Sequence, residues 1–144
     1  MQRRVVITGV GAVTPVGNDV PTMWENMLKG VNGIAPITLF DTSNSKVKIA
    51  GEVKSLEVEK YIDARQASRL DRAIILGLIA ATQAYVQSQL SASDYDPYRF
   101  GTFVTSGIGG LTTIWQEAQN AVAKGGDRIS PFCNCILCFL PYRR

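Results

Sequence analysis

Val5-Val6-Ile7-Thr8-Gly9-Val10-Gly11-Ala12-Val13-Thr14-Pro15-Val16-Gly17 is the stretch whose reading decides the fold. Three β-branched apolar residues in succession predict a buried central strand rather than a half-exposed one. The strand runs into closely spaced glycines, which let the backbone take positive φ and let other groups come close. A dinucleotide fingerprint is the tempting alternative, and it fails on spacing. With Gly9 and Gly11 in place, the third glycine falls where Thr14 stands, and the helix that should follow would contain Pro15. A core strand leading into a tight loop is the better reading.

Working outward from that stretch, 144 residues suffice for about one domain. With 46% hydrophobic and 19% charged residues the chain is globular rather than disordered. A net charge of +3 allows a local basic patch and argues against a nucleic-acid-binding chain. No segment approaches the ~20 apolar residues that cross a bilayer, so no membrane association is expected. Met1-Gln2-Arg3-Arg4 leads directly into the first strand and is not a signal peptide, which makes the cytoplasm the expected compartment. Histidine is absent, removing His-dependent triads and the commonest general base and metal ligand together.

Asn18-Asp19 followed by Pro21 marks a helix start, either Asn18 or Asp19 being able to cap, with Val20, Trp24, Met27 and Leu28 as its apolar stripe and Gly30 its end. Residues 30–45 read as irregular, and 47–54 alternate as a strand does. A long helix is expected from roughly Ala64 to Gln89 with Asp63 as cap, apolar nearly all round beyond its first turns and therefore packed on more than one side or at a subunit interface. Arg65, Arg69 and Arg72 crowd its start, where the helix dipole disfavours cations. A solvated charged face and an acidic partner explain them equally well. Asp94 to Pro97 is a loop, and Arg99–Thr105 a second buried-strand candidate. Ser106-Gly107-Ile108-Gly109-Gly110 then turns into a helix over Leu111–Lys124, ended by Gly125-Gly126. A glycine turn before a helix can bind an anion or let two backbones pass closely, and Ile108 weakens the phosphate reading.

Taken together, six collinear segments resemble the N-terminal part of the β-ketoacyl-acyl carrier protein synthase II family of condensing enzymes. They are RRVVITGVGAVTPVGN at 3–18, GIAPITLFDTS at 33–43, KIAGEV at 48–53, SRLDRA at 68–73, SGIGGL at 106–111 and GGDRISPF at 125–132. The resemblance implies an α/β chain forming part of the N-terminal half of a thiolase-like layered α/β/α/β/α fold. It also implies elongation of fatty acyl chains by decarboxylative condensation with malonyl-acyl carrier protein, acyl and malonyl forms of that carrier as partners, a homodimer, and no cofactor. The nucleophilic cysteine and two histidines of that chemistry have no counterparts in this chain, which is expected to be inactive alone. By resemblance, Ile108 and Phe132 border the acyl pocket, and Arg65, Arg69 and Arg128 help dock the acidic carrier. Ser68 stands where the family commonly has a basic residue, which weakens that patch.

The resemblance stops after Phe132. Residues 1–132 therefore read as an incomplete synthase domain, and 133–144 as a divergent, frame-shifted tail. That tail holds all three cysteines, Cys133, Cys135 and Cys138. They lack the small-residue context of the family nucleophile. A zinc site fits them poorly, because a structural site wants four ligands. Two other readings stand beside the enzyme fragment: a non-catalytic partner subunit of a condensing enzyme, and the inert product of a disrupted gene.

Overall fold

The structure is a computed structural model describing residues 3–91, 93 and 95–128. They fall into two compact units, one drawn from Met1–Tyr61 with Gly77–Gln89, the other from Ile62–Leu76 with Leu90–Arg144.

In the first unit, helix α1 (Val20–Leu28) starts at the expected place, with Asp19 rather than Asn18 as its cap. One Asp19 carboxylate oxygen accepts from the Thr22 amide at 2.8 Å and the other from its hydroxyl at 3.0 Å, with Pro21 in the first turn where no amide is needed. Gly30 ends it at φ +69°. The expected apolar stripe does form, yet it is not covered: Trp24, Met27 and Leu28 are exposed. Strand β1 (Ile34–Pro36) pairs antiparallel with β2 (Ile49–Gly51), Ala35 opposite Ala50. The second strand lies inside the alternating segment; the first lies in a stretch expected to be irregular, where Pro36 masks a short edge strand. Glu52 is buried just beyond β2, and its carboxylate accepts from the Thr38 amide (2.9 Å), the Thr38 hydroxyl (2.7 Å) and the Leu39 amide (3.1 Å). These bonds, that from the Thr38 hydroxyl foremost, hold the carboxyl below its ordinary pKa.

The long helix is a correction. It breaks into α2 (Ala64–Ala67), capped by Asp63 as expected, and α3 (Arg72–Ser88). The break falls at Asp71, whose carboxylate accepts from the Ala73 amide at 2.8 Å and so starts a new helix. The apolar pattern begins only at Leu70 and belongs to α3, while the good helix formers Ala64 to Ala67 before it make the two helices read as one. Ile79 on α3 is fully buried, whereas Tyr85 and Val86 are exposed.

Residues 9–12 lie against α3. A side-chain carbon on Gly9 would overlap the Ala84 carbonyl, and one on Gly11 the Ala80 carbonyl. The spacings match: two extended residues advance about 6.6 Å, four helical residues about 6 Å. Helix side chains also take the backbone donors of this segment, Gln87 Oε1 accepting from Val10 (2.6 Å) and Gln83 Oε1 from Ala12 (3.1 Å). Gln83 Nε2 donates in turn to the Asn18 carbonyl at 2.7 Å. The glycines serve close approach of backbone to helix.

The two buried strands are the second correction. Val5–Thr8 and Arg99–Thr105 are not laddered, and Val5, Ile7 and Phe103 are 90%, 85% and 91% exposed. Among the described residues no ladder of backbone hydrogen bonds joins either segment to a neighbouring strand. β-branched sequence favours extended backbone, but burial needs a partner surface.

In the second unit, helix α4 (Leu111–Lys124) has the expected bounds, and Gly125 ends it at φ +92°. Asp96 caps a 3-10 turn at Pro97–Arg99, which runs from the end of the expected loop into the start of the expected strand, and Tyr95 stacks on Phe100 with ring centroids 4.4 Å apart.

Candidate functional site: the glycine turn and the basic helix start

Four of the five expected site residues lie in the second unit within the described range; Phe132 and the three tail cysteines lie outside it. Arg65 sits in α2 and Arg69 in the turn that continues it, where the Arg69 amide donates to the Gln66 carbonyl at 3.0 Å. Their four-residue spacing makes them neighbours on one side of the helical stretch, and both are exposed. Arg128 closes the 3-10 turn Gly126–Arg128 that follows α4.

Ile108 projects from the glycine turn, 66% exposed. The next residue, Gly109, has φ +75°, a conformation costly for residues with a side chain. Gly110 is buried, and a side-chain carbon there would overlap the Asp71 carboxyl group. The other Asp71 oxygen accepts from the Thr113 hydroxyl at 2.6 Å. One carboxylate thus starts α3 and stands at the first turn of α4, beside the amide ends of two helices. This meets the anion question raised by the glycine turn: the chain's own carboxylate lies against Gly110. Sequence reasoning missed Asp71 as a site residue. The available signal was a helix-capping aspartate between two arginines, directly before the apolar run of α3.

The arrangement therefore joins a basic, exposed helix start to a glycine turn bearing one exposed apolar side chain. Among the described residues, no group of three or more His, Cys, Asp or Glu side chains is placed to hold a metal ion, and no helix is long and apolar enough to cross a membrane.

Backbone and site together define a partial α/β domain of the thiolase-like ketosynthase class. A solved type II PKS acyl-carrier protein in complex with its ketosynthase bound to the hexaketide matches 92% of this chain and 34% of its own, at TM-score 0.72 and 26% identity. The ishigamide ketosynthase/chain length factor matches 93% of this chain and 34% of its own, at TM-score 0.75 and 26% identity. The family model for the β-ketoacyl synthase N-terminal domain matches residues 2–143, and the chain belongs to that family. It is 46% identical over 130 residues to 3-oxoacyl-[acyl-carrier-protein] synthase 2 of Staphylococcus aureus, covering 90% of this chain and 31% of that protein. The synthase 2 of Synechocystis is 36% identical over 131 residues, 91% of this chain and 32% of its own length. The chain thus spans about a third of the length of the relatives it matches.

Proposed function

We propose that this chain supplies the N-terminal share of a cytoplasmic 3-oxoacyl-acyl carrier protein synthase, the condensing enzyme that elongates fatty acyl chains with malonyl-acyl carrier protein. In this reading Arg65, Arg69 and Arg128 attract the acidic carrier, while Ile108, with Phe132, borders the acyl chain. The homodimer belongs to the same proposal. The observation that carries it is the collinear match over 90% of the chain, including both the basic helix start and the glycine turn. With no histidine in its sequence, the chain has no imidazole for the decarboxylation half of the reaction. It is therefore inactive by itself. A radiolabelled elongation assay with acyl and malonyl carrier proteins tests this: product at blank level is expected. Carrier-dependent product that survives replacement of all three cysteines overturns the inactivity.

A non-catalytic partner subunit is the second reading. The structural similarity to a ketosynthase/chain length factor supports it. Stable, stoichiometric association with an active ketosynthase, changing its product length, would distinguish it from the first.

A further inference from the structure

Neither half of the proposed function uses the Asp71 carboxylate, yet it is what connects them. Among the described residues, the glycine turn 106–110 makes few bonds of its own. The Gly109 carbonyl accepts from Leu111 at 3.2 Å, and the Gly110 carbonyl accepts from Ile114 at 3.0 Å. Helix α4 has no side-chain cap at Gly110. What ties its first turn to the rest of the unit is the 2.6 Å bond from Thr113 to Asp71 and the close seat of Gly110 on that carboxyl group. A hydrogen bond to an ionised acceptor is about twice as strong as a neutral one. Asp71 itself is held by its bond from Ala73 at the start of α3, two residues beyond Arg69.

We propose that Asp71 is a positioning residue: through Thr113 and Gly110 it holds the turn that carries Ile108 in register with the Arg65–Arg69 stretch. It thereby sets which acyl chain lengths a docked carrier presents favourably. The proposal rests on the reading of Ile108 and the two arginines given above.

The test compares the full chain with Asp71→Ala, Thr113→Val and Thr113→Ser. Amide hydrogen exchange at Leu111 and Ile114 is read together with affinity for unacylated, octanoyl and palmitoyl carrier protein. Exchange should quicken about tenfold in Asp71→Ala and Thr113→Val, the scale of one hydrogen bond to a charged group, and Thr113→Ser should restore it. The palmitoyl-to-octanoyl affinity ratio should shift several-fold in the first two variants while the unacylated carrier binds as before. Should Asp71→Ala simply unfold, the Thr113 pair still decides. Exchange unchanged in Thr113→Val, or free exchange in the unaltered chain, overturns the tether. Faster exchange with an unchanged affinity ratio overturns the positioning role. If no carrier binds the unaltered chain while exchange responds as expected, the tether is supported and the docking reading fails instead.

Discussion

Residues 5–8 and 9–12 are consecutive, and they meet opposite fates. Gly9 to Ala12 lie on α3, their backbone seated against Ala80 and Ala84 and two of their amides bonded to Gln83 and Gln87. Val5 to Thr8 are exposed, and Val5 and Ile7 stand almost wholly in solvent. The difference is not hydrophobicity, which is greater in the bare half. It is whether a partner with matching spacing lies alongside. The second unit repeats the contrast: Phe103 is bare, whereas Gly110, seven residues on, is buried on Asp71.

The largest expected effect tests the bare half. Unpaired extended segments and exposed apolar side chains favour association between chains, so the chain should aggregate under reducing conditions and melt broadly. Val5→Lys combined with Ile7→Lys should abolish most of the light scattering. A sharp melt from an unassociated, unaltered chain would break the comparison.

The seated half is tested at Gly11. A valine there meets the Ala80 carbonyl and should cost about 3 kcal/mol of local stability, seen as lost exchange protection along residues 77–88. Gly107→Ala meets open space and should change local stability by less than about 0.5 kcal/mol. Equal effects at the two glycines would show that close approach is not what distinguishes them.

Glu52 sharpens the comparison through pH. Its folded pKa is lowered, so the unfolded chain binds its proton first as pH falls. The stabilisation is fully present above about pH 4.3, the ordinary value for glutamate, and is lost as pH drops through the lowered folded value. Amide resonances of Thr38 and Leu39 should titrate together in that acid range, and Glu52→Gln should remove the transition. Titration of both amides near pH 7 would contradict it.

The arginines give a small effect, on carrier binding rather than on stability. Arg65→Ala and Arg69→Ala should each weaken low-salt binding of acyl carrier protein by about 0–1 kcal/mol, and high salt should erase the difference. Binding insensitive to both salt and substitution would remove the docking patch.

Local chemistry made much of the chain legible in advance. Asp19, Asp63, Gly30 and Gly125 act within one turn of themselves, so the bounds of α1 and α4 and the start of α2 follow from sequence alone. The family segments also single out the glycine turn and the basic helix start, whose roles are those proposed above. Three features were decided by tertiary structure. Asp71 divides one expected helix into two because its carboxylate bonds to Ala73 locally and to Thr113, 42 residues away. Gly9 and Gly11 owe their role to a helix some 70 residues later. Val5, Ile7 and Phe103 remain exposed because a strand's propensity resides in its own residues, whereas its burial depends on surfaces contributed by others.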